Sequence, residues 1–270
     1  MTIAGVADTL LVGAITIGGA VVLLWLLSLP LEDTSIVDIF WGFGFVLTAW
    51  VVYAWASFAD VPDGGEGRRL LLTVLVTVWG LRLTLYLAWR NLGKGEDFRY
   101  QAMRRRWGRR WWWVSLIVVF LFQGALMWVV SLPVQVGVLP SSPGIGPLAF
   151  VGATVWAVGV FFETVGDVQL ARFKSHPENR GLVMDRGLWR YTRHPNYFGD
   201  FCVWWGIWLV ALDGSGTWWT VVGPVTMSIL LLRVSGVTLL ERALAKRRHG
   251  YEDYAARTSA FFPRRPKRIE

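Results

Sequence analysis

The sequence predicts an all-α membrane protein: a polytopic bundle of about seven transmembrane helices with a cytoplasmic C-terminal tail. Three observations carry this. Hydrophobic residues make up 54% of the 270-residue chain and charged residues only 17%, where a water-soluble fold carries about 25% charged residues. Seven apolar stretches approach or exceed the roughly 20 residues that a helix needs to cross a bilayer. Positive charge is concentrated in alternate breaks between them. The single cysteine, Cys202, excludes an intrachain disulfide. The three histidines, His176, His194 and His249, are too widely spaced for a zinc motif.

The expected spans are 5–29, 36–58, 70–89, 112–138, 147–171, 197–212 and 218–240. The first lacks a basic n-region and contains Asp8, so it is expected to stay in place rather than be cleaved as a signal. Pro30, the Asp63-Gly64-Gly65 run and the Pro140-Ser141-Ser142-Pro143-Gly144 run supply turn chemistry between spans. Pro195 opens the sixth and shortest span, at a position that a helix tolerates well. The tail after Glu241 is polar, basic and partly helical in pattern, and is expected to fold back on the cytoplasmic face. No internal repeat is visible, which leaves an inverted-repeat transporter without support.

Residues 90–110 hold eight Lys/Arg, 172–193 six and 241–270 nine, whereas 59–69, 139–146 and 213–217 together hold two, Arg68 and Arg69. Lys/Arg-rich loops stay in the cytoplasm. The N-terminus is therefore expected outside and the C-terminus in the cytoplasm. The runs Arg104-Arg105-Arg106 and Arg109-Arg110 read as topology signals that also touch anionic lipid. No base-reading motif accompanies them, so nucleic acid is not an expected partner. No obligate protein partner is evident either.

An ionisable side chain within a span is costly and marks function. At about 1.5 Å per residue, Asp38 and Asp200 lie about 5 Å in from the cytoplasmic end of their spans. On the same scale Asp167 lies about 7 Å in, Arg82 and Arg233 about 12 Å, and Glu163 about 13 Å. The outer half is expected to carry no charge within a span. A channel would be polar throughout, so one-sided polarity predicts a cup open to the cytoplasm. Glu163 and Asp167, four apart, share a helix face. Arg82 and Arg233, or ligand hydroxyls and amides, would offset them; a structural ion-pair network is the alternative.

Two polar, aromatic segments flank this cup. One is the string Gly187-Leu188-Trp189-Arg190-Tyr191-Thr192-Arg193-His194-Pro195-Asn196-Tyr197-Phe198-Gly199-Asp200. It sets Asn196 and Tyr197 at a helix N-terminus, which favours an anion such as phosphate, with Arg190 and Arg193 adding charge. The other is Glu96-Asp97-Phe98-Arg99-Tyr100, expected as a cytoplasmic loop. Together with the cup they predict a cofactor mouth.

These strings, with Trp79-Gly80-Leu81-Arg82 and the ending Leu240-Glu241 to Pro263, resemble the steroid 5-alpha-reductase-like family, in its bacterial branch of small membrane proteins. The resemblance covers nearly the whole chain. It implies one membrane domain over 1–270, with 148–270 carrying most of the cofactor site, in a bacterial inner membrane. It also implies an NADPH-dependent reductase that delivers a hydride to the β-carbon of a C=C conjugated to a carbonyl, in a lipidic or steroid-like substrate. By matched position it assigns cofactor contacts to Arg82, Asp167, Tyr191, Asn196, Asp200 and Trp204. Glu163 falls where the family carries an amide, and Arg193, His194 and Tyr197 complete the expected cofactor set. The chain departs from the family at Trp79, which stands in place of a tyrosine, and in having no Glu in span two.

Reduction of an enone develops negative charge on the carbonyl oxygen, which a buried, protonated acid stabilises. Asp38 is expected in that role, with Tyr86, one turn from Arg82, as a second donor. The alternatives are a helix cap for Asp38 and an interfacial aromatic for Tyr86. His194 is expected to contact phosphate or backbone. No G-x-G-x-x-G fingerprint follows a strand. The runner-up reading is an S-adenosylmethionine-dependent membrane methyltransferase of the isoprenylcysteine type, which Glu241, Tyr251 and Tyr254 partly fit; Asp200 after Gly199 and the E-D-x-R-Y string favour the reductase. A non-catalytic lipid-binding membrane protein is the third.

Overall fold

In hydrocarbon every backbone N–H and C=O must be satisfied within its own segment, so apolar runs become helices. The computed structural model describes residues 3–58, 65–139, 144–214, 216–234 and 250–267, and no strand occurs among them. The helices are α1 (Ile3–Leu31), α2 (Ile36–Phe58), α3 (Glu66–Asn91), α4 (Phe98–Trp107), α5 (Trp111–Ser115) and α6 (Phe122–Val130). They continue with α7 (Leu132–Gly137), α8 (Pro147–Ser175), α9 (Pro195–Leu212), α10 (Val222–Ile229) and α11 (Tyr251–Arg257). Among the described residues, five segments are long and apolar enough to cross a membrane: Gly5–Leu31, Ile36–Phe58, Glu66–Asn91, Phe98–Val130 and Pro147–Ser175. This is the make-up of a multi-pass membrane protein. The expected sixth and seventh spans correspond to α9, only 18 residues long, and to the shorter apolar segment Trp218–Arg233.

Several boundaries differ from expectation for local reasons. Helix α3 begins at Glu66, not 70. It takes Arg68 and Arg69 out of the expected loop and buries them at 1% and 3% exposure. The Asp213 carboxylate attracts Arg68 and accepts the Gly146 N–H at 2.7 Å. The end of α3 remote from Arg82 is therefore not free of charge. The segment expected as a basic loop is helical from Phe98, because Asp97 caps α4 by accepting the Arg99 N–H at 2.9 Å. Gly108, at φ 52°, ends that helix. The chain then runs through a 3-10 turn, α5, a π-helical stretch at Leu116–Leu121 and α6. The expected span 112–138 breaks at Ser131, since Pro133 opens α7 and has no N–H to continue the ladder. Glu241 and His249 lie outside the described residues.

The chain divides into two compact units. Unit one holds Met1–Phe150 and Ile207–Gly223; unit two holds Val151–Gly206 and Pro224–Glu270. In unit one, α2 packs on α1 and α3. Gly42 and Gly80 let the α2 and α3 backbones touch: a Cβ on Gly80 would lie 2.6 Å from the Gly42 carbonyl oxygen. Phe45 and Trp79 meet edge to face at 5.7 Å beside that crossing. In unit two, α8 and α9 meet the same way. A Cβ on Gly159 would lie 2.6 Å from Gly199 O, and one on Gly206 2.6 Å from Gly152 O. Gly152, Gly159 and Gly166 recur every seven residues, two helical turns, which keeps them on one face of α8.

The tail folds back on the 187–194 segment within unit two. The Arg193 N–H donates to Ser259 O at 2.9 Å, the Arg264 N–H to Tyr191 O at 2.9 Å, and the Thr192 hydroxyl to Phe261 O at 2.7 Å.

Candidate functional site

The face of α8 that meets α9 also carries the two acids. Glu163 is 3% exposed and Asp167 6%. Gly199 makes this possible, since a Cβ there would lie 2.6 Å from Glu163 Cγ. On α9, Asp200 is half-buried and Trp204 fully buried. Cys202 is close enough to feel the Glu163 charge. The loop is pinned to α8 by two bonds: the Trp189 indole N–H donates to Gly166 O at 3.0 Å, and the Leu188 N–H to Gln169 Oε1 at 3.0 Å.

The remaining residues of the Arg-His-Pro-Asn-Tyr string have mostly structural partners. Arg193 donates from Nη1 to Ala255 O and Thr258 O, both at 2.7 Å, which caps the C-terminal end of α11 with a cation. His194 is 2% exposed, and its ring lies parallel to Tyr197 at 5.4 Å. Asn196 accepts the Tyr197 N–H at 3.1 Å. Tyr191 is 41% exposed on the surface.

A cavity of about 350 Å³ opens in unit two. Its walls include Phe173, Trp189, Tyr251 and Tyr254, with Lys174 and Arg180 supplying charge. Of the residues expected from sequence, Arg193 lines it, whereas Glu163, Asp167, Asn196, Asp200 and Trp204 do not. Burial first, and then the neighbouring Tyr251, push the Tyr254 phenol above its usual range. It stays a neutral donor and bonds Trp189 O at 2.6 Å. Sequence reading noted Tyr251 and Tyr254 only through their Y-x-x-Y spacing. Nothing in it joined them to Lys174 or Trp189, because the chain brings them together only when the tail folds back.

Arg82 and Tyr86 belong to unit one. The Arg90 guanidinium sits over the Tyr86 ring at 5.6 Å, an arrangement suited to an interfacial aromatic. Trp79 is wholly buried.

The E-D-x-R-Y string, expected as part of a cofactor mouth, forms a clasp on the α1–α2 turn and the start of α2. Glu96 accepts the Thr34 N–H at 2.9 Å and pairs with Arg104 at 2.9 Å; Arg104 also donates to Glu32 O at 3.0 Å. Arg99 pairs with Asp38 at 2.7 Å, and the Tyr100 hydroxyl donates to the other Asp38 oxygen at 2.7 Å. Gln123 in turn donates to the Tyr100 oxygen at 3.2 Å. Asp38 thus uses both oxygens as acceptors, the pattern of a carboxylate that holds two neighbours. Burial works to raise the Glu96 pKa, but the Arg104 and Thr34 hydrogen bonds outweigh it and hold the group below the usual carboxylate range.

Comparison with curated proteins and with solved structures returns no match. Residues 24–258, most of the chain, match the family described as a protein of unknown function (DUF1295), and the chain belongs to that family.

Proposed function

We propose that this protein is an integral-membrane reductase that uses NADPH to saturate a C=C bond, conjugated to a carbonyl, in a lipidic substrate. The observation that carries the reading is the unit-two cavity. Its volume of about 350 Å³ falls within the usual range for small-molecule sites. Flat aromatic walls from Trp189, Tyr251 and Tyr254 suit a nucleotide base, and Lys174 and Arg180 suit phosphate oxygens. The donor set fits the adenosine end of the cofactor. Asp167, Asn196 and Asp200, assigned by the resemblance to the steroid 5-alpha-reductase-like family, lie outside the cavity lining and would contact polar groups of the cofactor beyond its adenosine end. When bound, NADPH supplies the hydride for the β-carbon. The α-carbon then takes a proton, for which water is a sufficient source. A methyltransferase is the second reading, favoured by the placement of Tyr251 and Tyr254 on the cavity wall.

The test is the small molecule that purified protein retains, read by mass spectrometry. NADPH or NADP is expected. S-adenosylhomocysteine would favour the methyltransferase, and lipid alone would remove both. Lys174→Gln, Asn196→Ala and Asp200→Ala should each weaken NADPH binding by about 5- to 150-fold, the loss of a hydrogen bond worth about 1–3 kcal/mol.

The same proposal includes seven crossings of a bacterial inner membrane, with the N-terminus outside and the C-terminus cytoplasmic. Helix α9, 18 residues long, spans about 27 Å, close to the roughly 30 Å of a hydrocarbon core. Topology reporters fused at residue 270 should report cytoplasm, and those inserted within 139–146 the outside. A periplasmic signal from residue 270 overturns the orientation and the cytoplasmic cofactor with it.

A further inference from the structure

A second concavity in unit two has a different chemistry. It is an open basin of about 680 Å³ on the 185–190 loop and the tail, lined by Asp185, Arg186, Arg190, Arg257 and Lys267 among others. Arg257 is engaged with Asp185 at 2.6 Å. That leaves Arg186, Arg190 and Lys267, three exposed cations, facing a basin whose one acid already has a partner. The walls are held by the backbone rather than by a loose end. The Lys267 N–H donates to Arg257 O at 2.9 Å and the Arg264 N–H to Tyr191 O at 2.9 Å.

We propose that this basin is a headgroup site for an anionic phospholipid. The placement argues for lipid over a soluble anion. Helix α8 has 29 residues and is about 43 Å long, more than the roughly 30 Å of hydrocarbon. Its last turn, with Arg172 and Lys174, therefore reaches headgroup depth, and the loop that follows begins there. The same loop and tail expose Leu182, Tyr191 and Phe262 at 52%, 41% and 51%. Large apolar and aromatic groups beside arginines are the composition of a membrane–water interface. A phosphodiester in the basin would lie between the loop and the tail and add electrostatic attraction to the bonds that already join them. This site is independent of the cofactor cavity and does not rest on the reductase reading.

The test uses the full-length protein in detergent micelles, titrated with phosphatidylglycerol or with phosphatidylcholine of the same acyl chains and read by native mass spectrometry. A phosphatidylglycerol adduct is expected, and none of comparable strength with phosphatidylcholine. The triple variant Arg186→Gln, Arg190→Gln, Lys267→Gln should weaken the adduct about 10- to 100-fold, since each surface cation adds to the attraction. Lysine at 186 and 190 should restore it. Equal binding of the two lipids overturns the site, as does an undiminished phosphatidylglycerol adduct in the triple variant. Displacement of phosphatidylglycerol by inorganic pyrophosphate would assign the basin to a soluble anion and overturn it too. NADPH binding, measured on the same samples, reports separately on the cofactor site.

Discussion

Leucine at Gly199 should separate α8 from α9 and strongly destabilise unit two. A Cβ alone at that position would lie 2.5 Å from Gly159 O, 2.6 Å from Glu163 Cγ and 2.7 Å from Glu163 N. Two of those atoms are backbone and cannot turn aside. The helices would have to move apart, exposing Glu163 and Asp167 on the face that now buries them. Overpacking costs about 1–3 kcal/mol, occasionally more, and rigid neighbours put this case at the upper end. Gly19 supplies the contrast: nothing lies within 4 Å of its Cβ position, so Gly19→Leu should be nearly neutral. Thermal midpoints of the detergent-solubilised variants, followed by size-exclusion fluorescence, check this. Equal midpoints for the two would refute the close α8–α9 contact. Since NADPH is proposed to bind in unit two, Gly199→Leu should lose cofactor as well.

The second large effect concerns Asp38. Asp38→Ala leaves the Tyr100 hydroxyl, in a side chain 5% exposed, without its acceptor. Such a loss costs about 1–3 kcal/mol. Asp38→Asn keeps one acceptor oxygen and should cost less. The two substitutions also divide clasp from catalysis. A general acid is worth about 10²–10⁴-fold in rate, and asparagine cannot donate a proton in its place. With Asp38 held as an acceptor, Asp38→Asn should keep kcat within a few-fold of wild type. A drop of a hundredfold or more at unchanged stability would return the catalytic role to Asp38. The clasp should also be acid-sensitive. Glu96 is held below the usual carboxylate range, so the unfolded chain binds its proton more readily than the folded one. Its contribution is complete above the unfolded pKa and fades as pH falls through the lower folded value. Glu96→Gln should flatten that acid limb of a stability–pH curve.

Both predictions rest on contacts that residue order does not reveal, while other features were legible in the sequence. Membrane class and the first five spans follow from hydropathy, a local sum, because the bilayer obliges each apolar segment to satisfy its own backbone. The start of α9 at Pro195 and the shared face of Glu163 and Asp167 are equally local, set by proline chemistry and helical spacing. Boundaries were less legible. Arg68 and Arg69 read as loop residues because their charge lowers hydropathy, yet both lie buried in α3, and Arg68 is attracted by Asp213, far along the chain. The E-D-x-R-Y string shows the limit most clearly. Acids, a cation and an aromatic suggest a ligand site, but Asp38 lies 61 and 62 residues from Arg99 and Tyr100 and takes up both. Trp189 meets Tyr254 across 65 residues in the same way. Which side chains meet depends on how the helices register, and glycines such as Gly80 and Gly159 set that register by letting backbones touch. A residue's type fixes what it can bond to; only the folded chain determines whether a protein partner has already taken that bond or a ligand can still make it.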